Sequence, residues 1–225
     1  MRIVEFRIFM PLKIDQCRIA SKYSVNKTTT NVTGDGDGFE VIEAKNVIEN
    51  GKPCRYVHRI LHCKKKIPSI VRWAIPDKYC HVHEHNHNCF PRYVANFDIP
   101  AMGKKFLLHT ETNHIEYHKG QEIPYNLTNM CDKDLKKREV YYLDILNGPE
   151  PKKAELDLHG YSCPEIGLAE LKAPKHISND KKIPEWVSYY EGPLTLIVKT
   201  VKFKFKMHGV QALAEKVVCN AWYHI

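Results

Sequence analysis

Between Thr200 and Met207, apolar and polar positions alternate with a period of two. Val201, Phe203, Phe205 and Met207 fall on one side of a strand, and Lys202, Lys204 and Lys206 on the other. The odd-numbered side is apolar, which predicts that it faces the interior. Lys199 has the same parity, so an unbroken register puts one ammonium on the inward side just before the apolar run. A buried ammonium requires a partner, either a protein carboxylate or the phosphate of a ligand. Alternatively, a β-bulge near Thr200 flips the parity and returns Lys199 to water, and the outward lysines guard an edge strand.

The same reading orders the rest of the chain. Residues 2–10 alternate as a strand with Val4, Phe6, Ile8 and Met10 on one face, and Pro11 ends it. Asp15 is placed as the N-cap of a helix over 16–25 that packs Ile19, Ala20 and Tyr23. Gly34, Gly36 and Gly38 mark a turn. Asn50-Gly51 is a strong hairpin signal between strands at 39–44 and 55–63. Further strands are expected at 79–87, 89–97, 106–118 and 139–146, with a short helix over 69–75 between Pro68 and Pro76. A proline- and lysine-rich excursion with one or two short helices occupies 147–193. After Gly209, the residues Val210, Leu213, Ala214, Val217 and Ala221 recur at helical spacing. Strands outnumber helices, and hairpins join most of them. The expectation is one α+β domain over residues 1–225, a large curved antiparallel sheet with flanking helices on one side. Such a sheet can hold a ligand against a concave apolar face.

Composition narrows the function classes. The chain has 225 residues, 43% of them hydrophobic, enough for one sizeable core. Its apolar runs are short and broken by charge, so none is expected to span a bilayer. The first residues alternate and carry charges, which reads as a strand and not a secretory signal. A net charge of +8 favours an anionic partner: nucleic acid, acidic protein or an anionic membrane surface. The lysines are dispersed among acidic residues, which weakens the nucleic-acid reading. The eight cysteines form no C-x-x-C pair, and without a signal they are expected as reduced thiols in the cytoplasm. Asp35 and Asp37 in the glycine turn are too few for calcium.

Three patterns bear on chemistry. His81, His83, His85 and His87 share one face of a strand, with neighbours about 7 Å apart. That is too far for all four to hold one zinc, although two could with a ligand from elsewhere. The plainer reading is a solvated histidine face, which leaves Glu84 and Asn88 pointing inward with Val82. Arg59 shares a side with Val57 and Leu61, either as an inward cation or as a surface arginine laying its stem on the sheet. Thr112 shares the side of Phe106, Leu108 and Thr110, as a core threonine or as a donor to an oxyanion. There is no G-x-S-x-G, glycine-rich phosphate loop or H-E-x-x-H, so no enzyme is expected.

Several segments recur in a familiar order and spacing. They are Tyr23-Ser24-Val25, Phe39-Glu40-Val41 after the glycine turn, Tyr56-Val57-His58-Arg59-Ile60 and Ile67-Pro68-Ser69-Ile70-Val71-Arg72. They continue with His83-Glu84, Asn88 with Phe90-Pro91, Glu111-Thr112-Asn113-His114 and the run from Val201 to Gln211. This order resembles the phosphatidylinositol transfer protein family of the single-domain type. The resemblance implies a START-like (helix-grip) fold enclosing one phospholipid. It implies transfer of phosphatidylinositol, and of phosphatidylcholine, between membranes without metal or cofactor. By position it assigns Lys199, Thr112 and Ser21 to the lipid phosphate, and Arg59, Glu84 and Asn88 to the inositol headgroup. Met207 and His208 occupy the membrane-docking place of a tryptophan pair. Val57 and Ala95 stand where the family has threonines, and Ser21 where it has a glutamine. The family's long C-terminal lid helix is not expected here. The resulting expectation is a monomeric cytoplasmic carrier, peripheral at membranes, with no nucleic-acid partner. The alternatives are a lipid sensor or presenting module with weak transfer, and a basic nucleic-acid-binding protein.

Overall fold

In a computed structural model of the protein, the described residues are 1–32, 38–66, 73, 75–146, 162–166, 168–169, 171 and 182–206. The glycine turn before Gly38, most of the helix expected at 69–75, most of the excursion at 147–193, the Met207-His208 tip and the closing helix from Val210 lie outside them. The strands are β1 (Arg2–Met10), β2 (Gly38–Glu49), β3 (Lys52–His62), β4 (His81–Cys89), β5 (Arg92–Asp98), β6 (Phe106–Tyr117), β7 (Arg138–Leu143) and β8 (Leu194–Phe205). They form one eight-stranded sheet in the order β2-β3-β4-β5-β6-β8-β1-β7. Helix α1 spans Ile14–Val32, and one-turn helices lie at Asp132–Leu135 and Trp186–Tyr189. This is the expected α+β class built on a large sheet. Contacts divide the chain into two compact units, one of Met1–Ile3, Ala20–Glu111 and Val201–Ile225, the other of Val4–Ile19 and Thr112–Thr200.

The first unit is built from hairpins. Asn50 and Gly51 both take positive φ, 51° and 74°, as a two-residue primed turn demands. That turn sets a register running from Glu49↔Lys52 to Gly38↔His62, with one irregularity between Val41 and Glu43. β3 and β4 pair antiparallel with Arg59 opposite Glu84 and Arg55 opposite Asn88. The same register brings Cys54 opposite Cys89, with Cα atoms 4.3 Å apart, and the two form a disulfide. Cross-strand proximity therefore overrides the expectation of reduced thiols for this pair. Val201 and Phe203 are buried, and Phe106 meets Phe203 and Phe205 edge-on at 6.2 and 6.3 Å. The apolar side expected for this part of β8 is the side that packs.

The second unit holds a core of Phe9, Tyr117, Trp186, Tyr190, Leu194, Leu196 and Val198, among others. Here the even-numbered side of β8 packs inward. β1 buries both faces, Ile3, Glu5, Arg7 and Phe9 as well as Val4 and Phe6, so it is a covered strand and not the half-buried one expected. A carboxylate deep in such a strand needs cations. Glu5, 1% exposed, accepts from Arg7 at 2.8 Å and from Arg138 at 2.7 Å. Arg7 also donates to the Tyr142 hydroxyl at 2.9 Å, and Arg138 to the Tyr125 carbonyl at 2.7 Å.

Helix α1 departs from expectation at both ends of its logic. It begins at Ile14, not after Asp15, because Gln16 reaches back to accept from the Lys13 N–H at 2.7 Å. Cys17 is buried, whereas Ile19, Ala20 and Tyr23, the face expected to pack, are exposed. Its first turn packs inward at Cys17, with Thr195 beside the thiol, whose pKa burial pushes up.

Replacing Glu5 by Gln leaves two buried guanidinium groups without their shared anion. The expected loss in unfolding free energy is about 3 kcal/mol, read by chemical denaturation. An unchanged midpoint would show that water already screens the triad.

Candidate functional site

The first unit presents one polar face built by β3, β4 and β5. Arg59 and Glu84 are directly opposed, and the guanidinium grips the carboxylate with two bonds, Nε to Oε2 at 2.6 Å and Nη2 to Oε1 at 3.1 Å. The Glu84 side chain is 4% exposed and that of Arg59 18%. The ring of Phe39 lies 4.0 Å from the guanidinium carbon, giving the cation an aromatic face as well as an anion. Two of the headgroup residues expected from the resemblance are thus brought together, as each other's partners. The inward side predicted for Glu84 is correct, and Arg59 is an inward cation and not a surface arginine.

Asn86 is the residue that sequence reasoning passed over. It donates from Nδ2 to Glu84 Oε1 at 3.3 Å. Its cross-strand neighbours are Val57 on β3 and Ala95 on β5. These are the two positions where the resemblance expects threonine. One amide therefore sits between the two apolar substitutions, and the register is the signal that would have found it. Asn88, two residues further along β4, lies between Arg55 and Tyr93 and is half-buried. Its side chain makes no hydrogen bond among the described residues. Ser21, on α1, is half-buried in the same unit.

Lys199 and Thr112 belong to the second unit. They lie on β8 and β6, which are hydrogen-bonded neighbours in the sheet. Lys199 is half-buried, on the face opposite to Val198 and Thr200. Thr200 itself shares a hydrogen bond with Thr128 at 3.3 Å. Thr112 is also half-buried. β8 spans Leu194–Phe205, and its buried positions change from even to odd numbers between Thr200 and Val201, next to Lys199. Met207 and His208 are outside the described residues.

The opposite face of β3 and β4 carries the histidines. They are half-buried and interlinked, not a freely solvated row. His58 shares a hydrogen bond with His83 at 3.2 Å, Tyr56 with His85 at 2.9 Å, and His62 with His81 at 2.9 Å. His87 pairs with Glu49. Burial, followed by the nearby His58, holds His85 below the usual histidine pKa, with Asp98 opposing. On β6, His109 is held low by burial first and then by Lys202.

A lowered histidine pKa means that the folded state binds the proton less readily than the unfolded chain. Stability from His109 is therefore present at neutral pH and lost as pH falls below about 6.5. Denaturation midpoints at pH 7.5 and 5.5 should differ less in His109→Gln than in the parent protein. Equal differences would remove this role.

A family model described as phosphatidylinositol transfer protein matches residues 1–225. Phosphatidylinositol transfer protein 1 of Dictyostelium discoideum is 29% identical over 215 residues, covering 96% of this chain and 78% of the relative. The beta isoforms of phosphatidylinositol transfer protein from Bos taurus and Homo sapiens are each 25% identical over 222 residues, covering 96% of this chain and 78% of the relative.

Proposed function

The chain belongs to the phosphatidylinositol transfer protein family, and on that premise we propose that it binds one phospholipid, phosphatidylinositol first, and moves it between membranes. The observation that carries this reading is the match of the family model to residues 1–225. The family is one of lipid carriers and not of enzymes. Among the described residues, no helix is long and apolar enough to cross a membrane. Contact with membranes is then peripheral, helped by the basic surface charge. The protein acts as a single-domain monomer on the cytoplasmic side, with the bound lipid as cargo and no cofactor.

Roles for the named residues follow from their chemistry. Lys199 supplies the positive charge for the lipid phosphate, with Thr112 and Ser21 as hydroxyl donors. The Arg59–Glu84 pair and Asn88 face the inositol hydroxyls. A fixed ion pair suits such a polyol because it offers donors and acceptors whose positions are already set. Burial of the acyl chains supplies most of the affinity, at roughly 0.8 kcal/mol per CH₂. The methyl groups of Val57 and Ala95 beside Asn86 remove two hydroxyls that the resemblance leads one to expect. This favours a shift of the cargo toward phosphatidylcholine, whose headgroup asks for fewer hydrogen bonds.

Mass spectrometry of lipid extracted from the purified protein should find about one phospholipid per chain, and transfer of labelled phosphatidylinositol between vesicles should be measurable. Protein free of lipid and inactive in transfer would overturn the reading. Lys199→Ala should weaken phospholipid binding by roughly 10- to 100-fold, the size of one hydrogen bond to a charged group. The double variant Val57→Thr, Ala95→Thr should raise the phosphatidylinositol share of the extracted lipid; an unchanged share would dismiss these positions as selectors.

A further inference from the structure

We propose that His58, His83 and His85 form a binding site for a first-row transition-metal dication such as Zn²⁺, on the face of β3 and β4 turned away from Arg59 and Glu84. One ring nitrogen from each of the three histidines lies within 4.8 Å of the others. The topology explains how. His83 and His85 are two apart on β4 and point to one side, and His58 on β3 is directly opposite His85. A strand pair of this kind delivers three imidazoles to one point, which the row on β4 alone does not. His58 is the ligand from the neighbouring strand that the spacing of the row requires.

The distances approach those of a filled site. Tetrahedral coordination with zinc–nitrogen bonds of about 2.0 Å puts donor atoms roughly 3.3 Å apart. His58 Nε2 and His83 Nδ1 are already 3.2 Å apart. The rings of His58 and His85 stack with centroids 4.3 Å apart, so ligation asks His85 to turn about its side-chain torsions while the backbone stays in place. One neighbour favours that turn. Asp98 Oδ1 lies 3.6 Å from His85 Nε2, where a carboxylate can hold the far nitrogen and leave Nδ1 for the metal. The Tyr56 hydroxyl lies 2.9 Å from His85 Nδ1, so the turn exchanges that hydrogen bond for the metal–nitrogen bond.

The donor set defines the ligand class. Three neutral imidazoles with no thiolate suit zinc, copper or nickel dications and disfavour calcium and magnesium, which take oxygen donors. All three side chains are half-buried, so an ion can reach them from solvent. Bound there, the ion ties β3 to β4 directly behind the ion pair on their other face.

Calorimetric titration of the chelator-treated protein with zinc chloride tests this. One equivalent should bind with a micromolar or tighter Kd and raise the thermal midpoint. His58→Gln and His83→Gln should each weaken binding more than about 10-fold, the loss already typical of an outer-sphere partner. His109→Gln, outside the cluster, should bind as the parent does. Each variant's unfolding midpoint in chelator checks that the sheet is intact. The proposal is overturned if binding does not saturate near one equivalent, if His58→Gln retains it, or if all three variants weaken it alike.

Discussion

The antiparallel register between β3 and β4 places three chemically different pairs at once. Arg59 meets Glu84, His58 meets His85, and Cys54 meets Cys89. Because side chains alternate with a period of two, a slip of one residue would carry every member of these pairs to the wrong face. The Arg59 guanidinium would lose its carboxylate, the β4 histidines would turn to the Arg59 side, and the two sulfurs would part. The disulfide fixes this register at one end of the ribbon, and the ion pair fixes it further along.

The second unit is governed by a different constraint. β1 is covered on both sides, yet its sequence carries Glu5 and Arg7. The strand keeps them by building a charged cluster with Arg138 and Tyr142, so that the buried carboxylate has two cations and the cations have further acceptors. Such a cluster is weak evidence for stability in itself. It does specify which strand lies beside β1, since Arg138 and Tyr142 both come from β7.

Much of the fold was legible in the chain. Alternation located the strands within a few residues, and Asn50-Gly51 identified its hairpin because the positive φ of that turn leaves a local chemical mark. The parity of β4 put Glu84 inward and the histidines outward. Other features were not legible, for reasons that have a common root. The meeting of Arg59 with Glu84, of Cys54 with Cys89 and of Asn86 with Val57 and Ala95 depends on register between strands. One strand's sequence does not state the register of its neighbour. The exposure of Ile19, Ala20 and Tyr23 was missed because helical spacing reports a shared face and not what covers it. The second buried face of β1 was missed because Glu5 and Arg7 look like solvent residues until their partners are known.

The order of the strands along the chain also bears on how the sheet assembles. β2, β3, β4 and β5 are neighbours both in sequence and in the sheet, whereas β8 pairs with β6 and β1 from far away in the chain. Short loops close at little entropic cost, and long ones close late. The ribbon with the Arg59–Glu84 pair is therefore expected to form early, and the strand carrying Lys199 to be threaded in last, between β6 and β1. Pulse-labelled hydrogen exchange during refolding would read that order, and protection of β8 ahead of β3 would refute it. By this route the proposed headgroup face exists before the proposed phosphate cation arrives, so a nascent chain would present one half of the proposed recognition chemistry while its sheet is still open.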